Sequence, residues 1–329
     1  MARKQFTPIP PMAELPSAED INVKEILDKY LSGEIDLICV LGPTASGKTR
    51  YAVQLARQIN ALLNYHTADS VISAGAEIIS ADSRQVYRGM DIGTGKDLSE
   101  YEEIPYHMMD IVDAGTKYNI FEYQRDFEKA YKDIVNRGGI PILCGGSGLY
   151  IEAATCGYSL PEVPANPALR EELEKKTDEE LIAQLASLKS LHNNTDYDTR
   201  KRLIRALEIA IYEAEHPVNR TAFLPKNTYY IGTLVSREVR NAKIDARLDA
   251  RLEEGMIEEI KKLLDGISPE DLIYYGLEYK FVTLYLTGEL SYDQMKTQLA
   301  IAIHQFAKRQ MTWFRGMERK GIRIHWTTV

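Results

Sequence analysis

The sequence has little cysteine: three residues in 329, at Cys39, Cys144 and Cys156, with no Cys-x-x-Cys spacing. An odd, scattered set of this kind argues against a disulfide scaffold and against a zinc site. Cys39 and Cys144 sit in apolar, strand-like runs, where a buried free thiol is the ordinary reading. Long hydrophobic runs are also missing, and nothing approaches the ~20 apolar residues that a spanning helix requires. The opening Met-Ala-Arg-Lys-Gln-Phe-Thr-Pro carries no apolar signal core. A reducing, cytoplasmic setting away from membranes is therefore expected. There is no excess of positive charge: 40 Lys and Arg stand against 48 Asp and Glu, for a net −8. That disfavours a general nucleic-acid coat protein but leaves room for a local basic groove. Internal repeats and low-complexity tracts are absent. What remains, at 44% hydrophobic and 27% charged residues, is a globular composition long enough for about two domains.

The chain reads as an α/β fold with a parallel sheet flanked by helices, plus a helical insertion domain. Residues 1–35 look like an extension, broken by Pro8, Pro10, Pro11 and Pro16, with one short helix over Val23–Leu31. From residue 36 the pattern changes. Leu37–Leu41 is a buried-strand run, and Ala52, Leu55, Ala56 and Ile59 follow at helical spacing. Further strands are expected at Glu77–Ser80, Met108–Val112 and Ile140–Cys144, with a helix over Phe121–Arg137 stopped by Gly138-Gly139. This alternation makes 36–161 the first part of an α/β core. Pro161, Pro164 and Pro167 mark a linker, and 162–228 reads as a charged helical insertion. A strand at Tyr229–Val235 and C-terminal helices complete the core over 229–329.

The strongest chemical signal is Gly42-Pro43-Thr44-Ala45-Ser46-Gly47-Lys48-Thr49, a P-loop pattern with a strand before it and a helix after. Glycines let backbone N–H groups converge on phosphate oxygens. The helix N-terminus adds partial positive charge, Lys48 adds a full one, and Thr49 can hold Mg²⁺. The pattern specifies a diphosphate or triphosphate cradle without naming the ligand. A nucleotide hydrolase would also want an acid at a strand end, yet the strand before Gly145-Gly146 ends in Cys144.

Asp82, in Ser80-Ala81-Asp82-Ser83-Arg84-Gln85, directly follows an apolar strand. Strand C-termini in a parallel sheet face the ligand crevice, so Asp82 belongs near whatever the P-loop holds; alone it would equally suit a helix cap. Gly145-Gly146-Ser147-Gly148 stands at another strand end, where a plain turn explains it nearly as well. Two basic stretches remain. One is Arg200-Lys201-Arg202-Leu203-Ile204-Arg205; the other runs from Lys308 to Arg323 and carries Trp313, Phe314 and, just beyond it, Trp326. Basic residues among aromatics suit an RNA backbone and unstacked bases, although a solvated helix face is the commoner explanation.

Taken together, these segments resemble the tRNA dimethylallyltransferase (tRNA isopentenyltransferase) family from about Asp36 to Trp313. The landmarks occur in order: the Gly42–Thr49 loop, Ala81–Thr94, Gly145–Tyr150, Arg205–Glu208 and Ala307–Arg315. The resemblance implies transfer of a dimethylallyl group from dimethylallyl diphosphate to N6 of adenosine 37 of tRNA, beside the anticodon. It implies that Thr44–Thr49 hold the diphosphate and Mg²⁺, that Arg247 joins Lys48 at the diphosphate, and that Asp82 is the general base. It further implies that Asp82, Ser83, Arg84 and Gln85 touch the target nucleotide, with Ser147 where the family usually has Thr. Arg170, Lys201, Arg202, Leu203, Ile204, Arg205, Tyr279 and Lys280 would face the tRNA anticodon stem-loop. A monomer is expected.

Four segments depart from the family pattern. Residues 62–75 are inserted, Pro105-Tyr106-His107 replaces Pro-His-His, Tyr275–Phe281 replaces Ile-Gly-Tyr-Lys-Glu, and His304-Gln305 stands where basic residues are usual. Alternatives are an adenine-nucleotide isopentenyltransferase, a small-molecule P-loop kinase, and a non-catalytic RNA-binding relative.

Overall fold

A computed structural model describes residues 15–65, 74–158, 163–189, 199–216 and 223–329. They form two compact units, one from residues up to Cys156 together with Leu224–Val329, the other over Gly157–Phe223.

The larger unit opens with α1 (Val23–Leu31), capped by the Asn22 side chain, and β1 (Leu37–Leu41), every residue of which is buried. α2 (Lys48–Tyr65) follows the P-loop, then β2 (Ala76–Ser80). β3 (Tyr87–Arg88), β4 (Tyr106–His107) and β5 (Val112–Asp113) are two-residue strands. α3 (Ile120–Asn136) starts at a capping box of Asn119 and Glu122, which satisfies orphan N–H groups at both positions. It stops before Gly138, whose φ of +72° suits glycine. β6 (Ile140–Gly145) and α4 (Gly148–Thr155) close the first segment.

The smaller unit contains α5 (Pro167–Leu173), α6 (Asp178–Leu188) and α7 (Arg200–Glu215). Its own core is aliphatic: Leu173, Leu181, Leu185, Leu203, Ile204 and Leu207 pack together. Back in the larger unit come β7 (Thr228–Leu234), α8 (Arg237–Glu254), α9 (Met256–Leu263), α10 (Pro269–Tyr275), α11 (Leu277–Leu286), α12 (Tyr292–Arg319) and β8 (Ile324–Thr328).

Six strands make one wholly parallel sheet in the order β4-β2-β6-β1-β7-β8. The P-loop strand is therefore interior, flanked by β6 and β7. Alternation puts Ile38 and Val40 on the face covered by α1 and α2, in one cluster with Ile26, Leu27, Ala52, Leu55, Ala56 and Ile59. Asp36 ties the returning segment to β1, accepting the N–H groups of Lys226 at 2.7 Å and Asn227 at 3.0 Å.

Three expectations change. The edge strand is Tyr106–His107, not Met108–Val112: Met108 and Asp110 take φ of +67° and +54°, which breaks an extended run. The 1–35 segment is, over its described part, built into the core: Ile26 and Leu27 are buried, and the Glu19 N–H donates to the Trp326 carbonyl at 2.7 Å. β8 was not expected from the sequence; it pairs with β7 and lays Trp326 over Gly232. Of the 62–75 insertion, Leu62–Tyr65 are the last turn of α2, and residues 66–73, with His66 and Asp69, lie outside the described residues.

Candidate active site

β1 ends at Leu41, and the chain turns through Gly42–Gly47 into α2, so the helix N-terminus points at whatever the turn encloses. The turn uses two left-handed residues, Ala45 at φ +61° and Gly47 at +80°. Its shape is held by residues far along the chain. Ser46 and Thr233 share a buried hydroxyl–hydroxyl bond of 2.6 Å. The Thr44 N–H donates to Gln310 Oε1 at 2.8 Å, and Gln310 Nε2 donates to the Gly146 carbonyl at 2.8 Å. Arg247 donates to the Thr44 hydroxyl. A Cβ at Gly42 would lie 2.1 Å from Thr233 Oγ1, so the approach of β7 demands the first glycine.

Beside this cradle is a cavity of about 730 Å³. Thr44, Lys48, Thr49 and Arg247 line it together with Asp82, Ser83, Arg84 and Gln85. Burial pushes the Lys48 ammonium below its ordinary pKa, and nearby Asp82 acts in the opposite direction. Burial, and next the neighbouring Arg251, lower Arg247 to about 10, which leaves it charged at neutral pH. Among the described residues no carboxylate lies within ion-pair distance of Lys48 or Arg247. Desolvated positive charge on a helix N-terminus favours an anionic ligand.

The Asp82 segment is pinned to the end of β6. The Ala81 N–H donates to the Cys144 carbonyl at 2.7 Å and the Ser147 N–H to the Ala81 carbonyl at 3.2 Å. A Cβ at Gly145 would fall 2.3 Å from that carbonyl oxygen, so the close approach requires glycine there. Asp82 Oδ1 accepts the Arg84 N–H at 2.9 Å. Ser147 Oγ accepts the Ser83 N–H at 3.1 Å. Gln85 accepts from Ser80 Oγ at 3.3 Å and donates to the Gly95 carbonyl at 3.2 Å. Ser147 is thus a brace for the Ser83 peptide.

The remaining wall, Asp91–Asp97, is organised by residues that the motifs did not flag. Glu259 on α9 accepts the N–H groups of Asp91 (2.9 Å), Ile92 (2.7 Å) and Gly93 (3.1 Å). It also accepts the Tyr279 hydroxyl at 2.7 Å. Lys96, with a fully buried side chain, donates to the Tyr87 carbonyl at 2.7 Å and to Asp91 at 2.8 Å, and pairs with Asp110. Arg251 and Glu278 face each other on the cavity wall at 3.7 Å. These residues sit in helices and loops without motif spacing; the one available signal was the i, i+4 relation of Arg251 to Arg247.

Several residues expected to face RNA have other duties. Tyr279 is buried, with its hydroxyl given to Glu259; Lys280 is exposed and lies over the Phe281 ring at 5.4 Å. Within the smaller unit, Leu203 and Ile204 belong to the aliphatic core, so their side chains hold α7 in place and offer RNA no surface. Arg170 is bidentate to the buried Glu208 at 3.0 and 2.8 Å, and Arg205 pairs with the same carboxylate. Lys201 and Arg202 are exposed on the first turn of α7.

For a cation, Thr49 offers its hydroxyl on the cavity wall. No cluster of three or more His, Cys, Asp or Glu able to hold a metal occurs among the described residues. One hydroxyl beside a phosphate cradle suits Mg²⁺, which keeps several waters and takes its remaining oxygens from a phosphorylated substrate.

A family model described as IPP transferase matches residues 85–317. The chain is 57% identical over 295 residues to tRNA dimethylallyltransferase 2 of Porphyromonas gingivalis, covering 88% of this chain and 93% of that protein. It is 56% identical over 296 residues to tRNA dimethylallyltransferase 1 of Parabacteroides distasonis, covering 88% and 92%. Among solved structures, the full-length tRNA isopentenylpyrophosphate transferase of Bacillus halodurans superposes with a TM-score of 0.61 at 32% identity, covering 89% of each chain. A eukaryotic dimethylallyltransferase solved acting on tRNA gives 0.68 at 25% identity, covering 89% of this chain and 74% of that one. The family model over residues 85–317 and identities of 56–57% over most of the chain place the protein in the tRNA dimethylallyltransferase family of IPP transferases.

Proposed function

We propose that the protein transfers a dimethylallyl group from dimethylallyl diphosphate to N6 of adenosine 37 of tRNA and releases diphosphate. The observation that carries this reading is that Lys48, Arg247 and Asp82 line a single cavity. Cleavage of the carbon–oxygen bond leaves negative charge on the diphosphate, which Lys48, Arg247 and the α2 N-terminus stabilise. Thr49 would hold Mg²⁺, which supplies further positive charge to the leaving diphosphate when bound.

The N6 amine is a weak nucleophile because its lone pair is delocalised into the ring. Asp82 has Oδ1 engaged with the Arg84 N–H, leaving Oδ2 to orient the amine and accept its proton. Neither reagent reacts unless aligned, so positioning supplies much of the rate. The target base is extruded from the anticodon loop to reach the cavity. The smaller unit, with Lys201 and Arg202 exposed on α7, serves the RNA backbone. The protein works as a cytoplasmic monomer; among the described residues no helix is long and apolar enough to cross a membrane.

The test is mass spectrometry of an anticodon stem-loop RNA incubated with enzyme, Mg²⁺ and dimethylallyl diphosphate, with AMP in a parallel tube. One dimethylallyl group gained on the RNA alone supports the proposal. Product on AMP alone would replace it with the free-nucleotide reaction, and no product in either tube would overturn the donor assignment.

A further inference from the structure

Arg251 stands one helical turn beyond Arg247 on α8, and residues at this spacing share a face. Both line the same cavity, and their proximity is the second cause, after burial, of the lowered Arg247 pKa. The Arg251 side chain is 12% exposed, and its guanidinium lies so close to Gly95 that a Cβ there would sit on its terminal nitrogen. Among the described residues its ionic partner is Glu278, at 3.7 Å, beyond hydrogen-bonding range. Glu278 is itself a strained counter-ion: burial raises its pKa, with Arg251 working against that shift. The wall therefore holds two adjacent guanidiniums, one bonded to a neutral hydroxyl and the other 3.7 Å from a carboxylate, with Lys48 on the same wall. Two like charges out of water, each without a close hydrogen-bonded anion, are costly unless an anion joins them. A guanidinium fork matches phosphate oxygens in geometry as well as charge.

We infer that Arg251 is a second arginine of the anion site, binding phosphate oxygens together with Arg247, while Glu278 holds its guanidinium in position when the site is empty. The assignment rests on the proposed prenyl-transfer reading, and the oxygens belong to the donor's diphosphate. The other phosphate source is the phosphodiester of the RNA.

The experiment is calorimetric titration of the full chain with inorganic diphosphate and Mg²⁺, alongside steady-state KM values for donor and stem-loop RNA. Arg251→Met and Glu278→Gln are compared with wild type, with Lys48→Ala as reference. Arg251→Met is expected to weaken diphosphate binding at least tenfold and raise the donor KM, leaving the RNA KM unchanged. Glu278→Gln, which frees the guanidinium, is expected to bind diphosphate as tightly as wild type or more tightly. If Arg251→Met raises only the RNA KM, the phosphate is the nucleic acid's and the assignment is wrong. If Arg251→Met binds diphosphate like wild type, Arg251 is a structural partner of Glu278 and the inference fails. Failure of wild type itself to bind diphosphate would instead remove the donor reading beneath it. Thermal melting of each variant identifies loss of folding, and if Arg251→Met melts early, Arg251→Lys, which keeps charge but loses the fork, is expected to show an intermediate affinity.

Discussion

The side chain of Gln310 accepts the backbone N–H of Thr44 at 2.8 Å, so a residue of the penultimate element fixes the third position of the P-loop. Its amide nitrogen reaches the Gly146 carbonyl at the same distance, linking the ends of β1 and β6. Replacing Gln310 by Leu leaves a donor and an acceptor unsatisfied in a buried place. The expected cost is about 2 kcal/mol of stability, within the ~1–3 kcal/mol typical of such groups. The donor KM is expected to rise about tenfold with a smaller change in kcat. Chemical denaturation and initial rates check this, and Gln310→Glu, which keeps the acceptor for Thr44, is expected to lose less donor affinity.

Asp82→Asn preserves size and the acceptor used by the Arg84 N–H but removes the proton acceptor. Turnover is expected to fall roughly 10²- to 10⁴-fold, the usual contribution of a positioned general base. Diphosphate affinity is expected to stay within about threefold, since Asp82 does not belong to the cradle. Single-turnover rates and calorimetry separate the two, and a variant of unchanged rate would remove Asp82 as the base.

Lys48→Ala takes away a charge that has no carboxylate at ion-pair distance among the described residues. Donor affinity and rate are expected to fall together, each by at least tenfold, because the interaction strengthens as charge develops on the leaving group. Raised salt should not reproduce this loss in wild type, since a desolvated charge is poorly screened. A variant with unchanged KM and kcat would move the donor elsewhere.

Glu208 gives a pH prediction for the smaller unit. Burial would raise its pKa, but Arg170, the Asn166 N–H and Arg205 outweigh burial, and the net shift is downward from 4.5. A depressed carboxylate contributes stability that is complete above the unfolded pKa and is lost as pH falls through the folded one. Melting of the wild-type protein is therefore expected to drop below about pH 4.5, and Glu208→Gln to show a flatter profile. At pH 7 that variant is expected to lose about 2 kcal/mol, less than a fully buried pair would cost, because Arg170 and Arg205 are 45% and 40% exposed.

Arg202→Ala is expected to raise the apparent KM for stem-loop RNA several-fold in low salt. The difference should shrink as ionic strength rises, the signature of a phosphate contact. An altered donor KM with an unchanged RNA KM would contradict a role for α7 in RNA binding.

Much of this architecture was legible because its elements carry strong local signals. Leu37–Leu41 is wholly apolar, Gly42–Thr49 is a spaced glycine turn, and Gly138-Gly139 stops the amphipathic run of α3. The edge strand was not legible, since Met108–Val112 looks more apolar than Tyr106–His107; two left-handed residues decide the matter, and neither is glycine. β8 escaped because Ile324–Thr328 reads as a short mixed tail, made a strand by pairing with β7 alone. Lys48 and Asp82, which line the cavity, stand at motif positions. Gln310, Glu259 and Arg251 act through partners between 20 and 266 positions away in the chain, which periodicity cannot register. Leu203 and Ile204 were assigned to RNA because a family segment was carried over whole, whereas in α7 they lie with Leu207 on the buried helical face.

The interior place of β1 in the sheet has a consequence for synthesis. The P-loop leaves the ribosome early, but Thr233, Arg247 and Gln310, which shape it, come from β7, α8 and α12. A nascent chain halted before β7 has the loop and four of the six strands, with β1 exposing an unpaired edge. It has nothing to hold Ser46, the Thr44 hydroxyl or the Thr44 N–H. Completion of the loop is thereby deferred until β7, α8 and α12 are in place.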